Sequence, residues 1–189
     1  MEAIWERAKG SIGCEVGERV AFEAQVMVEG LRQIREAMKA TEDRIQEICK
    51  GFETYPYLLS IPGFGPDISS KVLGAIGDPF RFQGGKQVIK MAGYDLSAER
   101  SGENSDRASP VISKQGKGDL RYALYQAAQI ASAKNRDFRI YYGNKLQGRE
   151  REKGIHTKIK VKLAAKLLVI AWTLMKKKER FDPSYLNLD

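Results

Sequence analysis

Ile61-Pro62-Gly63-Phe64-Gly65-Pro66 is the stretch that organises this sequence, because two glycines and two prolines interrupt a region of helical character. Glycine adopts backbone conformations that other residues rarely reach, and it lets another segment approach closely. A helical pattern follows over about residues 67–76. The stretch therefore predicts two short helices joined by a sharp turn.

This arrangement resembles a helix-hairpin-helix, in which backbone N–H groups at the start of the second helix hold a phosphate. Such contacts grip DNA without reading its sequence. Gly63, Phe64 and Gly65 are therefore candidate DNA-binding residues, and Gly65 is expected to need a glycine conformation. Ser69 would let the helices pack closely, and Lys71 would add a charge to the same phosphate. An ordinary tight helix–helix connection is the alternative.

A long helix over about residues 15–50 precedes the turn. Its apolar positions alternate spacings of four and three, the heptad pattern of a coiled coil. Gly30 lies beside this seam and costs about 1 kcal/mol of helix propensity without ending the helix. We expect the seam to pair with a second copy, giving a homodimer or higher oligomer; packing along its own domain is the alternative. The seam consists of Val20, Ala24, Met27, Leu31, Ile34, Met38, Thr41, Ile45 and Ile48.

Further helices are predicted at about residues 84–91, from residue 117, and at about 137–146 and 156–177. The intervening residues 92–116 are rich in glycine, serine, asparagine and charge, and we interpret them as a long loop with a short hairpin near Val111-Ile112. Loops of this length are uncommon in compact domains and are usually functional. The predicted fold is mainly α, with a coiled-coil segment at 1–52, a helical domain at 53–183 and a tail at 184–189.

Charge is distributed very unevenly along the chain, which has a formal net charge of +8. Residues 1–112 carry 14 Lys and Arg against 17 Asp and Glu, whereas residues 113–180 carry 18 against 5. Such a concentrated excess indicates a polyanionic partner, and nucleic acid is favoured over a merely solvated basic face. Lys158, Lys162 and Lys166 are candidate DNA contacts in the last helix.

Other classes of protein and of site are disfavoured. No apolar run reaches the roughly 18–20 residues that span a bilayer. Cys14 and Cys49 stand without a disulfide framework, as expected for a reducing cytoplasm. His156 is the only histidine, so neither a histidine-based zinc site nor a Ser-His-Asp relay fits one chain. The acids show no convincing metal spacing, and we assign no metal ligand.

The long loop contains Ser101, which lies among many basic residues in the sequence. A serine that attacks DNA phosphorus must lose its proton while the phosphorane gains negative charge, and cations stabilise both. From the residues alone, a solvated serine is the commoner interpretation. The candidate catalytic residues are Ser101, Arg100, Lys114 and Arg121, and the further candidate DNA contacts here are Arg107 and Lys117.

From about residue 58 to 183 the chain resembles the C-terminal transposase domain of the insertion-sequence 110/116/902 family. The stretches that carry the resemblance are Ser60-Ile61-Pro62-Gly63-Phe64-Gly65-Pro66, Ile76-Gly77-Asp78, Arg81-Phe82, Met91-Ala92-Gly93-Tyr94, Arg100-Ser101-Gly102, Ile112-Ser113-Lys114-Gln115-Gly116, Leu120-Arg121-Tyr122-Ala123-Leu124 and Lys162-Leu163-Ala164-Ala165-Lys166-Leu167-Leu168. The resemblance implies a recombinase that moves a mobile element under the guidance of a bridging RNA. It places the nucleophile on Ser101, makes residues 92–116 an active-site loop, and assigns the long helix to dimerisation.

The chain also departs from the family pattern. Family members begin with a Holliday-junction-resolvase-like domain bearing four acidic metal ligands, and this sequence begins after it. We therefore expect Mg²⁺ in that domain and no cofactor here, so the chain alone would bind DNA and cleave it poorly or not at all. Ala165 stands where the family usually has arginine. The rival hypotheses are a non-catalytic helix-hairpin-helix DNA-binding module and a dimerisation scaffold. For either DNA function, a nucleoid-associated cytoplasmic protein is expected.

Overall fold

The structure is a computed structural model of the 189-residue chain, and it describes residues 17–97 and 111–186. The chain is mainly α, as predicted. It divides into two compact units, Met1–Asp43 and Arg44–Asp189. The domain boundaries after residues 52 and 183 stay predictions.

Helix α1 spans Glu18–Lys50 and continues through Gly30, which confirms the long helix. Its seam side chains are exposed, from 43% at Ile45 to 69% at Met27. Thr41, the one polar residue of the seam, donates its hydroxyl to the Ala37 carbonyl at 2.8 Å, so its side chain is satisfied within the helix.

Two short helices flank the glycine turn, as predicted. Helix α2 spans Tyr55–Leu59 and α3 spans Pro66–Ile76. Each has a proline in its first turn, where a missing N–H costs nothing. Pro56 is the second residue of α2, so the Tyr55-Pro56 pair lies at the start of this helix. A 3₁₀ helix at Pro79–Arg81 then leads to α4, Gly85–Ala92.

A two-residue antiparallel pair interrupts the helices. Strand β1, Leu96–Ser97, pairs with β2, Val111–Ile112, with Leu96 opposite Ile112. This is the short hairpin predicted near Val111-Ile112. Residues 98–110 connect the strands and lie outside the described residues.

Three longer helices complete the domain. They are α5 at Gly118–Lys134, α6 at Arg136–Leu146 and α7 at Ile155–Lys177. Helix α7 is central: α3, α4, α5 and α6 all pack on it. Its predicted inward side chains are buried, namely Ile159, Leu163, Ala164, Leu167, Ile170, Ala171 and Leu174. None of the described helices is both long and apolar enough to cross a membrane.

The segment after α7 folds back onto the domain. Phe181 stacks on Phe138 with ring centroids 5.6 Å apart, and its N–H donates to Ser60 Oγ at 2.8 Å. Leu186, in a 3₁₀ helix at Pro183–Leu186, is fully buried. At least the first residues of the predicted tail therefore belong to the packed structure.

Candidate functional site

Gly63 lies where the turn packs directly against α5. It adopts a left-handed conformation with φ +89°, and a Cβ built on it would lie 2.5 Å from the Ala127 carbonyl oxygen and 3.2 Å from Ala131 Cβ. Only glycine fits such an approach. The close approach expected at this turn is present, and its partner is the backbone of α5.

The other two turn residues differ from the expectation. Phe64 is a buried core residue, so its side chain is not available to DNA. Gly65 has φ −86° and ψ 179°, an ordinary conformation for a residue before proline, and nothing lies within 4 Å of its added Cβ. The expectation that Gly65 needs a glycine conformation is therefore wrong, because the positive φ falls on Gly63.

The start of α3 carries a negative charge. Asp67 lies in the first turn and accepts a 2.9 Å hydrogen bond from the Lys71 ammonium. A carboxylate here interacts favourably with the helix dipole and would repel a phosphate at the same place. Lys71 is thus paired within its own helix, although both side chains are exposed. Ser69, predicted to allow close packing, is fully buried, and its hydroxyl has no partner among the described residues.

Two glycines lie where the long loop leaves and re-enters the domain. Gly93 ends α4 in a left-handed conformation, φ +71°, and its added Cβ would lie 2.9 Å from the Lys114 carbonyl carbon. An added Cβ on Gly116 would lie 2.5 Å from the Met91 carbonyl oxygen and 2.6 Å from the Gly93 nitrogen. We call this crossing of residues 91–93 with residues 114–116, together with the β1–β2 pair, the loop base.

Arg121 fixes the loop base. Its Nη1 donates to the carbonyl oxygens of Ala92 at 2.9 Å and Gly116 at 3.1 Å, one on each side of the crossing. The Tyr94 hydroxyl donates to the Arg121 carbonyl at 2.9 Å, and burial raises the pKa of Tyr94 well above its ordinary range despite the nearby guanidinium. The candidate catalytic Arg121 therefore has a structural role that the sequence did not reveal.

Hydrogen bonds of polar groups also join the two sides of the loop base. Ser113 donates its hydroxyl to Asp95 Oδ1 at 2.6 Å, and its N–H donates to the Asp95 carbonyl at 2.7 Å. Lys114 follows in a left-handed conformation, φ 55°, which is unusual for a residue with a side chain. Lys114 and Lys117 are exposed and have no ion-pair partner among the described residues. The sequence alone did not identify Asp95, Gly93 or Gly116 as one unit, because they come together only by the pairing of β1 with β2.

The remaining loop candidates cannot be placed. Arg100, Ser101 and Arg107 fall within residues 98–110, outside the described residues. The structure describes the chain on either side of this segment, up to Ser97 and from Val111.

The three candidate lysines of α7 lie in three different environments. Lys158 donates to Glu152 at 2.7 Å, and Arg149 pairs with the same carboxylate, so these two cations hold the pKa of Glu152 below its usual value. Lys162 is exposed and has no ion-pair partner among the described residues. The three were predicted as equivalent DNA contacts, and only Lys162 presents an unpaired charge.

Lys166 is half-buried. Its ammonium donates to the Leu186 carbonyl and lies 4.8 Å from the centroid of the Tyr141 ring. Burial, with a contribution from Lys145, lowers the pKa of Lys166. It therefore ties the folded-back C-terminal segment to α7.

The part of the chain that the structure describes contains no set of metal ligands. Across residues 17–97 and 111–186, no three His, Cys, Asp or Glu side chains come together in a way that could hold an ion. The described residues do not fit a Mg²⁺ site, and we derive no chemical step through one.

Residues 55–143 match the model of the family described as Transposase IS116/IS110/IS902 family. Among curated proteins, no sequence matches the chain. The matched span begins with α2 and reaches into α6, so it contains the glycine turn, the loop base and the loop between β1 and β2. This stretch is therefore similar to a transposase, which supports a function in DNA transposition or recombination in general.

Proposed function

We propose that this chain is the DNA-handling and strand-transfer part of a transposase, and that Ser101 is its nucleophile. The observation that carries the proposal is the loop base, which lies inside the stretch matched by the transposase family. Two glycines, Arg121 and the β1–β2 pair fix both ends of the segment that contains Ser101. Anchored ends limit the positions that this segment can reach, and rate depends steeply on where a nucleophile lies, since misplacement by about 1 Å costs on the order of 10²-fold.

The proposed step is a phosphoryl transfer to serine. Ser101 Oγ forms a bond to a DNA phosphorus and loses its proton, while one bridging P–O bond breaks and its oxygen gains a proton. A phosphoserine link and a DNA hydroxyl end result. Negative charge accumulates on the non-bridging oxygens, and Arg100 and Lys114 are proposed to stabilise it. Arg121 acts indirectly, because its Nη1 is held by two carbonyls.

DNA binding is proposed for the basic half of the chain. Residues 113–180 carry 18 Lys and Arg against 5 Asp and Glu, and Lys114, Lys117 and Lys162 are exposed without ion-pair partners in the described ranges. Their contacts would go to phosphates, so affinity should fall steeply with salt. A log–log slope of about −4 to −5 is expected if about five phosphates are contacted. A slope near zero would favour the scaffold hypothesis.

Dimerisation through α1 is also proposed. Met27, Leu31 and Ile34 are all more than half exposed in the heptad seam, and a second copy would bury them. Leu31→Asp with Ile34→Asp should convert an oligomer to a monomer in sedimentation, because unpaired charges are costly in an apolar seam. Gln25→Asp with Gln33→Asp adds the same charge outside the seam and should leave the oligomer intact. A concentration-independent wild-type monomer would contradict the proposal.

A guide RNA and Mg²⁺ enter only through the family resemblance. The bridging RNA would choose the DNA partners, and a resolvase-like acidic domain would supply the metal. Under this proposal the chain acts on the nucleoid, within the cytoplasm.

The test of the nucleophile is recombination by this chain together with the resolvase-like domain. Ser101→Ala should abolish recombination and leave DNA affinity unchanged, whereas Ser105→Ala, a matched change in the same loop, should leave both intact. If Ser101→Ala recombines DNA normally, the chain is instead a non-catalytic DNA-binding module. The helix-hairpin-helix form of that alternative is weakened by Gly63, which packs on α5, and by Asp67 at the start of α3.

A further inference from the structure

We call four aromatic residues on three helices that pack on one another the aromatic row. It consists of Tyr122 and Tyr125 on α5, Tyr142 on α6 and His156 in the first turn of α7. The rings of Tyr142 and His156 are nearly parallel, at 16°, with centroids 6.2 Å apart, and the Tyr142 hydroxyl lies 2.6 Å from His156 Nδ1. This contact fixes two rings in a stack at the surface.

Tyr125 and Tyr122 extend the row along α5. Burial raises the pKa of Tyr142, and the Tyr125 phenol adds to this rise. Tyr122 lies three residues earlier, close to the same face of the helix, and 65% of it is exposed. Tyr122 directly follows Arg121, so the row begins beside the loop base.

We infer that the aromatic row binds the unpaired bases of a single nucleic-acid strand by stacking. Every base has a flat π face, and aromatic side chains beside cations provide a stacking surface that tolerates any sequence. Duplex DNA offers no base faces along its length, so the row has nothing to stack on in an intact helix.

The charge around the row favours a nucleic acid over a protein partner. The three helices that carry it lie within residues 113–180, where basic residues outnumber acidic ones by 18 to 5. The ring of an exposed tyrosine in such a region can stack on a base while neighbouring lysines neutralise the phosphates. Strand transfer requires locally unpaired DNA, and a stacking row beside the loop base would hold it there. In this respect the inference deepens the proposed function, although binding itself does not depend on Ser101.

The experiment measures binding of the full chain to fluorescein-labelled oligo(dT), oligo(U) and a duplex of equal length at the same salt. Tyr122→Ala should weaken binding of the single strand about 5- to 150-fold, the range for one lost base–aromatic stack. The duplex affinity should hardly change. Tyr122→Phe keeps the ring and should retain single-strand affinity. Phe52→Ala, which removes an exposed aromatic outside the row, is the matched control and should have no effect.

An abasic oligonucleotide sharpens the test, since it keeps every phosphate and loses its bases. The wild-type chain should bind it more weakly than oligo(dT), by at least the factor lost in Tyr122→Ala, and Tyr122→Ala should bind the abasic strand as well as the wild type does. The tighter of oligo(dT) and oligo(U) identifies the kind of strand. The inference is overturned if Tyr122→Ala weakens single strand and duplex equally, or if it changes neither. If Ser101→Ala recombines DNA normally while Tyr122→Ala weakens oligo(dT) binding, the nucleophile proposal fails and the stacking inference stands. If Ser101→Ala abolishes recombination while Tyr122→Ala leaves oligo(dT) binding unchanged, the stacking inference fails and the nucleophile proposal stands.

Discussion

The turn at residues 61–66 and the loop base are both connections built on two glycines, yet only the loop base uses both for close backbone approach. In the turn, Gly63 packs against the α5 backbone and Gly65 has open space around it. In the loop base, Gly93 and Gly116 let two backbone segments cross. A glycine motif in a sequence therefore indicates close approach, but it does not tell whether a ligand or the protein itself makes that approach.

The two connections also differ in charge. Beside the turn, Asp67 pairs with Lys71, so its net charge is near neutral. Beside the loop base, Lys114 and Lys117 are exposed with no ion-pair partner among the described residues. This difference is why we place the DNA chemistry at the loop base and a packing role at the turn.

The largest expected effect is the difference in stability between adding one methyl group at Gly116 and adding one at Gly65. Gly116→Ala would bring Cβ to 2.5 Å from the Met91 carbonyl oxygen, a backbone atom that cannot rotate away. It should lower the free energy of unfolding of the domain by about 3 kcal/mol, the upper part of the range for overpacking. Gly65→Ala should be neutral or stabilising by about 0.4–1 kcal/mol, because its φ suits alanine. Urea denaturation of both variants measures the contrast, and equal effects would refute it.

A smaller effect is expected from the clamp of the loop base. Arg121→Ala leaves the Ala92 and Gly116 carbonyls without their donor and should cost about 2 kcal/mol of stability, in the range for hydrogen bonds to charged groups. It should also slow recombination, because the loop that carries Ser101 loses its support. Arg139→Ala, an exposed arginine on α6, should change stability by less than about 0.5 kcal/mol. If denaturation ranks these two alanine variants alike, Arg121 does not clamp the loop.

The smallest effect distinguishes the cations beside the two connections. Lys117→Glu should make the slope of log affinity against log salt less negative by about 0.9 or more, since it removes a phosphate contact. Lys71→Glu should change the slope less, because Lys71 already pairs with Asp67. Titrations of duplex DNA at several salt concentrations compare the two variants. A larger change for Lys71 would return the DNA contact to the turn.

Much of the fold could be predicted because it follows local patterns. The heptad spacing gave α1, and the 3.6-residue period of Leu120, Leu124 and Ala128 gave α5, whose inward residues are buried. The helix that contains Leu163 and Leu167 was predicted to within a residue at its start. These signals lie within single helices, so no tertiary information was needed.

The site could be predicted only in part, because its contacts join distant segments. Lys166 and Leu186 are 20 residues apart, and Arg121 and Ala92 are 29 apart. A basic residue that is predicted from the composition to contact DNA can instead donate a hydrogen bond to a backbone carbonyl in the folded protein. The Tyr142–His156 stack was similarly hidden, since the two residues are 14 apart in the sequence and lie on different helices.

The central claim is that the loop held by the loop base carries the nucleophile, and a trapped adduct tests it most directly. The chain would be incubated with the resolvase-like domain, Mg²⁺ and a nicked DNA substrate whose cleaved end diffuses away, and the product analysed by peptide mass spectrometry. We predict a covalent nucleotide on the peptide that contains Ser101, absent in Ser101→Ala and present in Ser105→Ala. An adduct on any other residue, or recombination without an adduct on Ser101, would contradict the claim.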